Sequence, residues 1–184
     1  ASDVYKRQDV VDALIEAAGV KSSSKILTPS GEKKSFREAL IHDFDCTSLT
    51  KVILQKWNAH VGSKRLEKLL ADRAALSGYL AGRQVIDMVL DFPAKKLKAK
   101  DLAAILRRLP PRLYSIASSL RAHPDEVHLT VAAVRYHSHG RDRKGVASTF
   151  LADDLKPGDT VEVYLHHNKN LSLIHISEPT RQFR

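Results

Sequence analysis

An α+β fold is predicted, with a mainly helical block over residues 9–110 and an antiparallel β block over residues 111–170 that makes up part of a barrel. The apolar period changes at Pro110-Pro111, from helical spacing before it to alternation after it. β-branched and aromatic residues concentrate after that boundary, in runs separated by glycine-bearing turns. There is no internal repeat and no low-complexity tract.

Val10, Val11, Leu14, Ile15 and Ala18 recur at helical intervals, and Gly19 stops the run. Lys25-Ile26-Leu27-Thr28 followed by Pro29-Ser30-Gly31 predicts a short hairpin. Ser35 with Glu38 three residues on is a capping pair, so a helix is predicted to start near Phe36. Further short helices are predicted over 49–58, 64–70, 76–80 and 85–89, with Trp57 as a packing residue. Pro93 interrupts the pattern, and Leu102, Ile105 and Leu106 form one last apolar face before the two prolines. Strands are predicted over 114–118, 127–136 and 160–166. His139-Gly140-Arg141 and Pro157-Gly158-Asp159 are predicted turns, and Val146, Phe150, Leu151 and Leu155 mark a helix between them.

The two ends read differently. Residues 171–181 are what a transposon-end sequencing adapter encodes, and residues 1–8 are the translation of its companion, so both 1–8 and 171–184 are expected to be adapter artefact. The composition is that of a soluble chain with no long apolar run, and the single cysteine, Cys46, excludes an internal disulfide and fits a cytoplasmic location. The net charge of +9 invites a nucleic-acid reading, but the basic residues are dispersed and aromatics make up only 6% of the chain. Solvated helix faces account for that charge, or a basic surface that meets an acidic partner domain. No nucleic acid and no membrane is expected as a partner.

Two segments carry the chemistry. Residues 112–119 read Arg-Leu-Tyr-Ser-Ile-Ala-Ser-Ser behind a proline lead-in, and Gly145-Val146-Ala147-Ser148 opens the helix that follows the first hairpin turn. On a strand, Arg112, Tyr114 and Ile116 share one face and Leu113, Ser115 and Ala117 the other. A helix N-terminus presents unpaired N–H groups to an anion, glycine permits close approach, and a serine adds a hydroxyl. Taken singly, each segment also fits an ordinary strand and a glycine turn with a serine cap.

Together the two segments resemble the FAD-binding domain of NADPH-dependent diflavin reductases, of the ferredoxin-reductase type. Ala147 and the His166-His167-Asn168-Lys169-Asn170 ending resemble the sulfite reductase branch. The resemblance covers nearly all of residues 9–170, with 9–110 as the helical connecting region and 111–170 as an incomplete FAD-binding barrel. It implies that Arg112 contacts the pyrophosphate, that Tyr114 stacks on the flavin beside Leu113, and that Ser115 lies near the reactive N5 and assists hydride arrival. It further implies cofactor contacts from Thr130, Val131, Ala132 and Tyr136, a pyrophosphate segment at Gly145, Val146, Ala147 and Ser148, and a contact from Thr47. FAD is the expected cofactor. FMN and NADPH would belong to a flavodoxin-like domain and an NADP-binding domain of the same parent chain, and the electron acceptor would be a haem-iron sulfite reductase subunit. This stretch alone is expected to be inactive, with weakened affinity for FAD. A cytochrome P450 reductase-like member is the alternative within the family, and a basic docking or nucleic-acid-binding module the alternative outside it.

Other chemistries lack their signatures. His137, His139, His166 and His167 have no cysteine or carboxylate companions at ligand spacing, so no metal is expected. Cys46 has no histidine placed as a base, and no phosphate-binding P-loop or Gly-x-Gly-x-x-Gly is present.

Overall fold

The computed structural model describes residues 2–166, with side chains from Gln8 onward. α1 (Ser2–Ala18) presents Val11 and Leu14 to the core and ends at Gly19, whose φ of +62° only a residue without Cβ adopts freely. Its backbone runs unbroken through residues 2–8, while residues 167–184, with the end of the histidine-asparagine run and the second segment expected to be adapter, lie outside the described residues.

β1 (Lys25–Leu27) and β2 (Lys33–Ser35) form the expected antiparallel hairpin. Ser35 Oγ then accepts the Glu38 N–H at 3.3 Å and starts α2 (Phe36–His42). The same capping chemistry sets three more helices. Thr50 caps α3 (Lys51–Val61), Ser63 caps α4 (Lys64–Ala71) and Asp72 caps α5 (Arg73–Leu80). These caps move the boundaries a few residues from those that apolar spacing alone suggests, because the cap side chain fixes where helical backbone begins. α6 (Val85–Asp91) and α7 (Ala99–Ile105) complete the helical block.

α1 packs on α2 and α6 around one core. Phe36, Leu40, Leu54, Trp57, Leu66, Met88 and Leu102 are fully buried, each side chain stabilising the fold by roughly 1.5–3 kcal/mol. Trp57 donates its indole N–H to the Phe92 carbonyl at 2.9 Å, so its one polar atom is satisfied inside the core.

β3 (Phe44–Asp45) pairs antiparallel with β4 (Arg107–Arg108), a contact too short for any periodicity to announce. The β block contains β5 (Arg135–Ser138) and β6 (Arg141–Lys144), joined by His139 and Gly140 at φ +49° and +70°, the left-handed pair that a two-residue hairpin needs. α8 (Val146–Thr149) follows and runs into a π-helical turn (Phe150–Asp154).

The class is α+β, helices followed by short antiparallel pairs, and no closed barrel forms among the described residues. Three predicted strands are corrected. Residues 114–118 and 127–136 meet through a single bridge, Ile116 to Leu129, with only the end of the second run entering β5. Residues 160–166 join no ladder among the described residues. Alternation specifies the two faces of an extended segment but not its neighbour, and a strand is held by the hydrogen bonds a neighbour supplies. Most apolar side chains of these segments stay exposed, Val163 and Leu165 at 84% each, while Tyr114, Val131 and Ala133 are half-buried.

Candidate functional site

A cleft of about 600 Å³ opens between α1, α6, β6 and α8. This lies inside the size range of small-molecule sites, ~300–1,000 Å³. Val10, Ala13 and Ala17 of α1 give it one apolar wall, Ile86 and Leu90 of α6 a second. Arg141, Arg143 and Lys144 bring positive charge, set against Asp9, Glu16, Asp142 and Asp154.

The rim beside α8 is built by close backbone approach. Gly145 N–H donates to the Val134 carbonyl at 2.9 Å, and Ser148 Oγ accepts the Val134 N–H at 3.1 Å while donating to the Gly145 carbonyl. A Cβ on Gly145 would stand 2.6 Å from Ser148 Oγ and 3.0 Å from Val134 Cβ, so any larger residue here must displace the Ser148 hydroxyl. Thr149 returns its N–H and its hydroxyl to the Gly145 carbonyl, at 2.9 and 2.8 Å. The N–H groups of Val146, Ala147 and Ser148 precede that first intrahelical bond.

The opposite rim rests on a buried ion pair. Arg143 Nη2 reaches both carboxylate oxygens of Asp87, at 3.1 and 2.8 Å, and its Nη1 donates to Gln84 Oε1. Asp87 also accepts the Gln84 N–H at 2.7 Å and Arg141 Nη1 at 3.3 Å. Arg143 Nε, buried beside the cleft, has no hydrogen-bond partner among the described residues. Ser138 Oγ donates to the Gly82 carbonyl and His139 Nε2 sits 3.1 Å from the Ala81 carbonyl, so the whole hairpin docks on the loop before α6.

Below Thr47, Asp45 is buried and fully engaged. Its Oδ1 accepts the Thr47 and Ser48 N–H groups and the Thr47 hydroxyl, each at 3.0 Å, and its Oδ2 accepts Arg107 Nε and Nη2. Burial pushes this carboxyl up, but the hydrogen bonds from Ser48, Arg107 and Thr47 outweigh it and hold the group well below its ordinary range.

Of the site residues predicted from the sequence, Thr47 and Val146 line the cleft, and Gly145, Ala147 and Ser148 are chain neighbours of Val146 that do not line it. Arg112, Leu113, Tyr114, Ser115, Thr130, Val131, Ala132 and Tyr136 do not line it. Tyr114 and Val131 are half-buried and the other six are exposed. Arg112 has no hydrogen-bond or ion-pair partner among the described residues. The segments are nonetheless laid side by side: Ala117 N–H donates to the His128 carbonyl at 2.8 Å, and the same central stretch meets Gly145 through Val134. Gln84, Asp87, Arg141 and Arg143 were not anticipated as site residues. The usable signal was the Arg141-x-Arg143 alternation on a short strand, which places both guanidiniums on one face.

No helix among the described residues is long and apolar enough to cross a membrane. Residues 4–150 match the FAD binding domain family. The chain is 46% identical over 149 residues to the sulfite reductase [NADPH] flavoprotein alpha-component of Bacillus subtilis, covering 80% of this chain and 25% of that protein. The proteins of the same name from Aliivibrio fischeri and Serratia proteamaculans are 39% and 41% identical over 90% and 89% of the chain, and 27% of each relative is covered. The chain thus spans about a quarter of the length of the curated relatives it matches.

Proposed function

The chain belongs to the FAD-binding domain family, with FAD as its cofactor, and on that basis we propose that it is the FAD-binding portion of an NADPH-dependent sulfite reductase flavoprotein. The observation that carries the reading is the lateral order of the segments. Residues 116–118 meet residues 128–129, Val134 at the end of that stretch meets Gly145 and Ser148, and the cleft lies next to the last of these.

The residues present fit the cofactor. Arg143 lines the cleft and carries an Nε with no partner among the described residues, and the three N–H groups of residues 146–148 are free of intrahelical bonds, which suits an anionic phosphate. In this reading the segment Gly145, Val146, Ala147 and Ser148 holds the pyrophosphate through the backbone N–H groups of the last three, while the Gly145 N–H is taken by the Val134 carbonyl. The Ser148 hydroxyl acts by fixing Gly145 against Val134. The exposed guanidinium of Arg112 clamps phosphate, Tyr114 with Leu113 covers the flat ring, and Ser115 offers a hydroxyl to the reactive edge. Thr130, Val131, Ala132 and Tyr136 line the central stretch, and Thr47 closes the far wall of the cleft. When bound, FAD supplies the hydride and electron-transfer chemistry while the protein supplies placement.

The parent protein would pass electrons from NADPH, held by an NADP-binding domain of the same chain, to FAD, then to FMN in a flavodoxin-like domain of that chain, and on to a haem-iron subunit, in the cytoplasm. The relatives' names, sulfite reductase [NADPH] flavoprotein alpha-component, support the NADPH, flavin and sulfite reductase parts of that reading. Residues 9–110 are the connecting region in it, 111–170 the FAD-binding part, and 1–8 and 171–184 adapter. By itself this quarter of the protein is expected not to reduce dyes with NADPH.

The test is FAD uptake by the purified chain, read as visible absorbance and as flavin released on denaturation. Retention of FAD that is lost in Arg112→Ala and Tyr114→Ala supports the assignment. Retention indifferent to both substitutions removes the role given to residues 112–115.

A further inference from the structure

We propose that His123, Glu126 and His128 form a binding site for one divalent transition-metal ion of the zinc class, on a loop away from the cleft.

The loop is closed at its neck. Ile116 bridges Leu129, Ala117 N–H donates to the His128 carbonyl at 2.8 Å, and the His128 N–H donates to Ser118 Oγ at 3.0 Å. Inside it, the N–H groups of Ala122 and His123 both return to the Ser119 carbonyl, at 3.1 and 2.9 Å, forming a helical turn that delivers His123. Pro124 then fixes its own φ and restricts His123, so the path from the first histidine to Glu126 has little freedom left to lose.

The donor atoms converge. Glu126 Oε2 lies 3.0 Å from His128 Nε2 and 3.8 Å from His123 Nδ1. The three ligand atoms fall within 4.8 Å of one another, with the imidazole centroids 4.4 Å apart. A tetrahedral ion with bonds of ~2.0–2.1 Å separates its ligands by roughly 3.3–3.4 Å. The two carboxylate separations bracket that value, so an ion is seated by side-chain adjustments of well under an ångström at the carboxylate edge. With exposures of 44%, 67% and 49%, the three side chains are reached directly from solvent.

The donor set decides the ion. Two imidazole nitrogens and one carboxylate oxygen suit Zn²⁺, Co²⁺, Ni²⁺ and Cu²⁺, whereas Mg²⁺ and Ca²⁺ take all-oxygen shells. Three protein ligands leave a fourth position to water. Without an ion, Glu126 Oε2 is at hydrogen-bond distance from His128 Nε2, while His123 Nδ1 stands 3.8 Å away. Occupied, the site staples residues 118–128 immediately after the segment that carries Tyr114 and Ser115. It stands independently of the FAD assignment. It also departs from the expectation of no metal, because the His-x-x-Glu-x-His spacing lies outside the histidines considered from sequence.

The experiment is titration of the full chain with Zn²⁺ alone against a colorimetric chelator, with Co²⁺ as the spectroscopic probe. Binding of one Zn²⁺ per chain and visible Co²⁺ bands of low-coordinate geometry are expected. His123→Ala, Glu126→Ala and His128→Ala should each weaken binding by more than about tenfold, the lower bound for loss of even a supporting residue. Unchanged Trp57 fluorescence would show these exposed substitutions leave the fold intact. His137→Ala/His139→Ala should bind as the parent does. Binding that survives His123→Ala/His128→Ala, or that disappears with His166→Ala/His167→Ala instead, overturns the proposal, as does failure of the parent chain to compete with the chelator.

Discussion

Removal of either partner from the Arg143–Asp87 pair should detach the β5–β6 hairpin from the helical block. Both side chains are desolvated, at 5% and 9% exposure, so deleting one leaves the other charge buried, a loss of about 3–5 kcal/mol. The two deletions are not equivalent. Arg143→Met leaves Asp87 with the Gln84 N–H and with Arg141, which is 36% exposed, and belongs near ~3 kcal/mol. Asp87→Ala leaves Arg143 with Gln84 Oε1 and also strips the N-cap N–H of α6, adding roughly 0.5–1.5 kcal/mol toward the upper end. Asp87→Leu/Arg143→Met removes both charges and should return to within ~1 kcal/mol of the parent. Urea unfolding followed by Trp57, the chain's one tryptophan and a fully buried residue, reads these values. At a slope of ~2 kcal/mol/M, Asp87→Ala should shift the midpoint by roughly 2–2.5 M and Arg143→Met by roughly 1.5 M. Amide exchange in β5 and β6 should quicken before the core opens. If Arg143→Met stays within about 0.5 kcal/mol of the parent with exchange unaltered, or if the double substitution is as costly as Asp87→Ala, burial of the pair is not what docks the hairpin.

Acid should act through Asp45. Its folded carboxyl sits below the ordinary value of 3.8, so its stabilisation is complete above that value and is lost as pH falls below it toward the depressed folded value. Asp45→Asn should cost on the order of 1–3 kcal/mol at neutral pH and flatten the acid limb of the stability profile, measured by urea midpoints across pH. An equally steep acid limb would place the titrating group elsewhere. Gly82→Ala combines φ of +71° with a Cβ 2.5 Å from Ser138 Oγ, so a loss above about 1–2 kcal/mol is expected in thermal or urea unfolding. Gly145→Ala should drive Ser148 off the Val134 N–H and reduce FAD retention more than it reduces overall stability. A comparison of flavin content with the urea midpoint in one preparation checks that order.

The helical half was legible because its determinants are local. Ser35 and Gly19 act within four residues of the backbone they cap or stop, and Val11 and Leu14 reach the core by the same spacing that marks them in the sequence. The His139-Gly140 turn was legible for the same reason, since only certain residues tolerate positive φ. Thr47, expected from the family resemblance to contact the cofactor, lines the cleft. The extended segments were read less well. Residues 127–136 alternate, yet most of the run finds no ladder, because β pairing is a property of two segments and alternation describes one.

By itself the sequence determined where helices begin and end, where the hairpin turns, and which two short segments carry the flavin-domain resemblance, all within windows of a few residues. Tertiary structure alone decided that Arg107 meets Asp45 across 62 residues and Arg143 meets Asp87 across 56. The cleft between α1, α6 and α8, and the partner each extended segment takes or lacks, were decided in the same way. A charge in a sequence has no partner until folding removes water from around it, and desolvation then makes pairing obligatory.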